Sequence, residues 1–346
     1  MRYLIILLLV TPFTPLFGQS GGEGVYNFLK LPTSARVAGL GGAPLSLIDN
    51  DMNLAVQNPA LLSDTMDLSL VTNYSLYMED AKNSYIGFAK SWKGVGNFAV
   101  GMHYLNYGTF EGYDRYGVPT STFTGSDMAL YLQYSRKLSK HVSGGITIKP
   151  IFSQLENYSS NGLVADIGFN YSSLSRNSSL GVTLRNYGRQ FTNYDNSTTY
   201  SVDPDLSIAF SQRLAHAPLR LLVTAQNLLN WDLTYQVTDT ENGKATTSES
   251  YSTGNKLLRH MVFGVEIIPS RNFWIDLAYN GRTRAELKTE VKPGLTGFSG
   301  GFGLRIKQFQ FGYALSVNHL SAVTNSFGLT ANFKQFTFAQ KRTVQQ

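Results

Sequence analysis

From about residue 67 onward the chain alternates with a period of two. Phe309, Phe311, Tyr313, Leu315 and Val317 are interleaved with Gln310, Gly312, Ala314, Ser316 and Asn318, so one face is greasy and the other small or polar. Successive side chains of a strand point to opposite faces, and this pattern therefore describes a sheet between two different solvents. The same alternation runs through Leu68, Leu70, Thr72, Tyr74 and Leu76, through Phe273, Ile275, Leu277 and Tyr279, and through Phe327, Leu329, Ala331 and Phe333. It predicts 14 strands, near 67–78, 84–92, 96–106, 126–138, 142–153, 162–172, 177–185, 205–213, 218–227, 259–268, 272–280, 298–306, 309–317 and 325–334. Most are about 9–12 residues, the length a tilted strand needs to cross a bilayer.

The connections alternate too. Those of about 2–4 residues take turns with longer ones, the longest near 107–125, 186–204, 228–258 and 281–297. Short turns at one end and long loops at the other are the layout of outer-membrane barrels, with the short turns in the periplasm. Residues 19–66 differ in kind: they alternate poorly and break often at Gly and Pro. The expected fold is thus all-β, a transmembrane antiparallel β-barrel of about 14 strands over 67–346, with an N-terminal hatch or plug segment over 19–66.

Composition supports this reading. Charged residues are 15% against roughly a quarter in typical globular domains, yet mean hydropathy is only −0.13. A poorly charged, aromatic chain that is still mildly polar suits a barrel showing lipid one side of each strand and water the other. Arg2 followed by the apolar run Tyr3 to Val10, with small Gly18 before Gln19, reads as an export signal over 1–18. That apolar run is too short to span the hydrocarbon as a helix. With no cysteine, disulfides, thiolate metal sites and Cys nucleophiles are excluded. The net charge of +6 is spread singly along the chain, which gives no nucleic-acid stripe and suits a surface facing anionic headgroups.

The N-terminal segment is also similar to a known family. GVYNFLKLPTSARVAGLGG at 24–42, the acidic Asp49-Asn50-Asp51 and the run Asn58-Pro59-Ala60-Leu61-Leu62 resemble the PorV/PorQ family of barrels of the type IX secretion system of Bacteroidetes, related to the long-chain fatty acid transporter fold. The Leu31-Pro32-Thr33-Ser34-Ala35-Arg36 form, and Tyr104-Leu105-Asn106-Tyr107-Gly108 with Asp114, look closer to the PorQ branch. The resemblance implies a part in protein secretion: a barrel of the cell-surface attachment complex, holding a PorZ-type surface protein, with PorU and PorV as further candidate partners beside outer-membrane lipid. It implies no catalytic residues. The alternative, from the shared architecture, is a fatty-acid-transporter-like barrel for uptake of hydrophobic small molecules.

No enzyme site can be assembled from the residues. His103, His141, His216, His260 and His319 lack the i, i+2 or i, i+4 partners of a compact metal site, and Ser299-Gly300-Gly301-Phe302-Gly303 lacks the Lys and helix of a phosphate loop. No cofactor is expected. If the greasy face meets lipid, then Asp127, Lys149, Asp166, Arg185, Arg213, Arg220, Glu266, Asp276, Arg305 and Lys334 point inward. Mixed signs make this a pairing network rather than a selectivity ring, and Arg36, Asp49 and Asp51 of the N-terminal segment are placed to join it. Partner binding is expected on the long outer loops, through Trp231, Tyr235 and Tyr251, with Tyr113, Tyr116 and Tyr194 contributing.

Overall fold

The computed structural model describes residues 24–77, 80–175, 177–194, 202–233, 252–287, 294–319 and 322–334. The export signal expected over 1–18, and Tyr235 and Tyr251, lie outside the described residues. Fourteen antiparallel strands close on themselves: β1 (Ser69–Leu76), β2 (Lys82–Trp92), β3 (Gly96–Tyr113), β4 (Pro119–Lys137), β5 (Val142–Leu155), β6 (Tyr158–Ser172), β7 (Ser178–Thr192), β8 (Asp205–Arg213), β9 (Leu219–Ala225), β10 (Met261–Ser270), β11 (Phe273–Asn280), β12 (Phe298–Ile306), β13 (Phe309–His319) and β14 (Ala322–Asn332). Each strand pairs with its sequence neighbour, and β1 closes the ring on β14 from Ser69↔Asn332 to Leu76↔Asn325. Where the strands pair around the ring, closure leaves no lateral edge in the ladder.

The alternation in sequence is the alternation in space. On β1, Ser69, Val71, Asn73 and Ser75 are buried and face in, while Thr72, Tyr74 and Leu76 are exposed. Ile86, Val100, Leu132, Ile148, Phe169, Phe210, Phe263, Leu277, Phe302, Phe311 and Phe327 repeat this outward exposure around the circumference. An apolar surface this continuous is far beyond the patch a water-soluble monomer carries, and lipid is its solvent. The chain is an outer-membrane barrel.

The end with short turns differs from the sequence reading in no important way, but the outer end does. The 107–125 stretch is a continuation of β3 and β4 around a turn at Asp114–Val118, not a loop. β7 likewise runs on to Thr192, and β5 and β6 meet across the two residues 156–157. Above the bilayer both faces of a strand meet water, so the greasy-polar alternation that reveals a strand disappears there. Two short helices stand at this end, α3 (Thr253–His260) and α4 (Gly281–Leu287), packed on each other; they are numbered after α1 (Ala35–Gly39) and α2 (Met52–Ala55) of the N-terminal segment.

Residues 24–62 run within the ring of strands, and Asp64 to Asp67 stand at its periplasmic rim. Tyr26 bonds Ser160 at the outer end of β6, and Leu62 carbonyl accepts from Asn97 and Ser135 at the periplasmic end of β3 and β4, so the segment runs the depth of the barrel. Local chemistry explains its course. Ser34, Asp51 and Asn58 each cap a helical turn by accepting from the backbone N–H of Val37, Asn53 and Ala60. Gly41 and Gly42 (φ 77° and 89°) end α1 in a left-handed conformation that residues with Cβ adopt at a cost. The apolar side of the segment (Phe28, Leu29, Met52, Val56, Leu62, Met66) packs on Val71, Tyr85, Ala99, Ala129, Tyr131 and Ile151 of β1–β5. Full burial of each large apolar side chain is worth about 1.5–3 kcal/mol.

Candidate functional site

The polar side of the segment meets the opposite wall, and there the inward charges converge. Arg36, on α1, is 5% exposed. Its Nε and Nη2 donate to Glu266 Oε1 at 3.1 and 2.6 Å, Nη2 donates to Asp49 at 2.8 Å, and Nη1 lies 3.4 Å from Asp51. Glu266 Oε2 accepts from Arg220 Nη1 at 2.6 Å, and Asp276 is its registered neighbour on β11. Four carboxyls thus surround two guanidiniums, and the Arg36 guanidinium also lies 4.8 Å from the centre of the Trp274 ring. Gln310 donates to Asp51 at 2.8 Å and accepts from Arg305 at 2.8 Å. Charge-assisted hydrogen bonds between guanidinium and carboxylate are the strong ones, and burial makes such a pair unforgiving of losing one partner.

A second group lies across the lumen. Lys149 pairs with Asp166 at 2.6 Å, donates to Asn186 at 2.9 Å and sits 4.9 Å from the centre of the Tyr131 ring. Arg185 pairs with Asp205 at 2.5 Å and donates to Gln57 of the N-terminal segment at 2.5 Å. Asp127 accepts from Tyr107 at 2.6 Å and from Ser153, whose hydroxyl also meets Tyr194 at 2.6 Å.

The structure places Arg213 and Lys334 elsewhere. Both have the inward parity of their strands, but Arg213 is exposed at the periplasmic end of β8, and Lys334 lies past the end of β14, 3.4 Å from Asp67 at the rim. Parity was sound and depth was not: alternation tells which face a residue takes and nothing about how far along the barrel axis it sits. Tyr194 is half-buried, with its hydroxyl 2.6 Å from that of Ser153. Of the other aromatic loop residues, Tyr113 and Tyr116 are 58% and 75% exposed, and Trp231 is 53% exposed with its ring stacked on His260. Sequence reasoning missed Gln57, Asn186, Asp205, Trp274 and Gln310. Asp205, Trp274 and Gln310 share the inward parity of their strands, which was the available signal.

Beside Arg36, Asp51, Asn73, Trp274 and Gln310 the void has a volume of about 10 Å³, room for about one water molecule. A larger cavity of about 210 Å³ opens at the periplasmic mouth between Asp49, Leu62, Asp64, Lys137, Lys140 and His141.

No protein-family model matches this sequence, and no curated protein matches it. Solved structures do resemble it. The monoaromatic hydrocarbon channel CymD is 10% identical with a TM-score of 0.55, covering 88% of this chain and 98% of that one. The toluene transporter TbuX of Ralstonia pickettii is 10% identical at 0.52, covering 88% and 99%. A FadL homologue of Pseudomonas aeruginosa is 12% identical at 0.50, covering 87% and 98%. At such identities the likeness establishes the fold alone: a closed outer-membrane barrel of 14 strands with the architecture of these transporters.

Proposed function

We propose that this barrel is a sealed scaffold of the outer membrane, anchoring a protein complex at the cell surface in the manner implied by the type IX secretion resemblance of residues 24–62. The observation that carries the reading is the stitched lumen. Arg36 reaches two acidic residues of its own segment and Glu266 on the wall, Gln57 reaches Arg185 on another wall, and the void beside Arg36 is about 10 Å³. A solute path would need the segment to leave, and leaving would strand buried charges. Anchoring needs no path. The work then falls to the outer end, where the β3–β4 extension, the exposed Trp231 and helices α3 and α4 stand. Neither this role nor the next calls for a catalytic residue or a cofactor.

A second reading has its own support, and the comparisons with solved barrels favour it: uptake of hydrophobic small molecules, as the names of the toluene and monoaromatic hydrocarbon barrels describe for those proteins. The cavity of about 210 Å³ at the periplasmic mouth would suit an exit for such a solute. One experiment separates the two. The tagged full-length protein is purified in mild detergent from its own outer membrane, and its companions and bound lipids are identified by mass spectrometry. A stoichiometric surface protein of the attachment-complex type supports anchoring. A lone barrel carrying a fatty acid or aromatic hydrocarbon, with reconstituted vesicles that take up the same compound, supports transport and refutes anchoring.

A further inference from the structure

The β3–β4 hairpin outgrows its neighbours. β2 ends at Lys82, paired with Asn106, and β5 ends at Leu155, paired with Gly125. Beyond those points β3 and β4 continue to pair with each other through Thr109↔Thr124, Phe110↔Phe123, Glu111↔Thr122 and Tyr113↔Pro119. The two-stranded ribbon so formed projects about 20 Å, at about 3.3 Å per residue. Among the described residues no strand lies beside β3 above Asn106, so its outer edge offers unpaired backbone groups directly in line with β2.

Natural proteins guard such edges with lysines, inward charges or prolines, because an open edge is a template for another strand. This one is poorly guarded. Tyr107 to Tyr113 contains one charged residue, Glu111, and its carboxylate is occupied in accepting from the Tyr113 hydroxyl at 2.7 Å. The facing strand, Thr120-Ser121-Thr122-Phe123-Thr124, contains none. Among the described residues the one guarding device on the β3 side is the bulge between Asn106 and Thr109 at the base of the ribbon. The ribbon is stiffened by the stacked rings of Phe110 and Phe123, 5.3 Å apart at 21°. Phe110, Tyr113 and Tyr116 are 42%, 58% and 75% exposed, aromatic surface on a preorganised frame.

We propose that the edge of β3 from Thr109 to Tyr113 is a docking strand, which adds one extended, largely uncharged strand of an extracellular protein by backbone hydrogen bonding. The inference rests on the anchoring reading and names its contact surface. Strand addition obtains affinity from main-chain bonds and specificity from alternate side chains. The alternate side chains of the added strand would lie beside Phe110 on one face and Tyr113 on the other. Strands within the ring are paired on both sides; β7 also runs past β8, from Arg185 to Thr192, but the β3 edge is the one that carries the exposed aromatic side chains Phe110 and Tyr113 on a stacked ribbon.

The test is photocrosslinking in the native outer membrane with the full chain. Benzoylphenylalanine is placed at Thr109 or Glu111, and at Trp231 or Leu287 for comparison. The expected result is that Thr109 and Glu111 link one surface protein at alternate residues of a single short segment. The paired substitution Thr109→Lys with Glu111→Lys, which guards the edge without removing the ribbon, should cut the co-purified partner more than tenfold while the barrel keeps its folded, heat-modifiable mobility. Capture of the partner with links from Trp231 or Leu287 alone overturns the ribbon proposal and leaves anchoring standing. Links to a second copy of this chain overturn it in favour of self-association. Recovery of no surface protein with the unaltered chain overturns anchoring, and the proposal with it.

Discussion

Replacing Arg36 by Met keeps an unbranched apolar stem while deleting the guanidinium that joins segment to wall and lies over the Trp274 ring. The environment sets the magnitude. The Arg36 side chain is 4% exposed, those of Glu266 and Asp51 are 0% exposed, and Asp49 is 24% exposed. Glu266 would retain Arg220, but Asp51 would retain, among the described residues, Gln310 and the Asn53 N–H, and neither carries charge. Removing one partner of a buried ion pair costs about 3–5 kcal/mol, because an uncompensated charge remains. At a urea slope of about 2–3 kcal/mol per molar this is a midpoint shift of about 1–2 M. The assay is equilibrium unfolding from detergent micelles followed by tryptophan emission, since Trp274 lies beneath Arg36 and is 5% exposed. Protease digestion is run in parallel, to catch a segment that leaves a barrel still closed. Adding Asp51→Asn to the Arg36→Met variant removes the stranded charge, leaves the Arg220–Glu266 pair intact and should recover about 1–3 kcal/mol. A single Arg36→Met variant within about 1 kcal/mol of the unaltered protein, with the segment equally protected, would refute the reasoning.

Three further outcomes follow from the same geometry. A Cβ on Gly303 would stand 1.9 Å from the ring of Trp274, its registered neighbour, so Gly303→Ala should cost about 1–3 kcal/mol in urea unfolding, and Trp274→Leu in the same chain should relieve it. Asn58 is fully buried, accepts from Ala60 N–H at 3.0 Å and donates to Leu45 carbonyl at 2.7 Å; Asn58→Ala should cost about 1–3 kcal/mol and expose the 45–60 stretch to protease first. At the rim, burial alone would raise the Asp67 carboxyl, but the Ser91 N–H and the Lys90 and Lys334 ammoniums outweigh it and hold it below its ordinary value. A depressed folded value means its stabilisation is complete above the unfolded value of about 3.9 and is lost as pH falls through the folded one. The gap in urea midpoint between unaltered protein and Asp67→Asn should therefore be present at about pH 7 and close as pH falls through the depressed folded value; a gap independent of pH would count against the ion pairs.

The alternation of residues such as Phe309 to Val317 was enough to place all 14 strands, because lipid and lumen demand different side chains at every second position. The same parity found Lys149, Asp166, Glu266 and Asp276, and poor alternation with breaks at Gly and Pro marked residues 19–66 as something other than lead-in. The outer ribbon was not legible: from Tyr107 to Thr124 both faces meet water, no alternation survives, and only hydrogen-bond partners reveal a strand. Depth was hidden as well, which is why Arg213 and Lys334 had the right face and the wrong place. Pairing was out of reach altogether, since Arg36 and Glu266 lie 230 positions apart and meet only once the ring has closed around the segment. Local pattern determines which solvent each side chain sees; which charge answers which, and how much space is left between them, belongs to closure of the barrel.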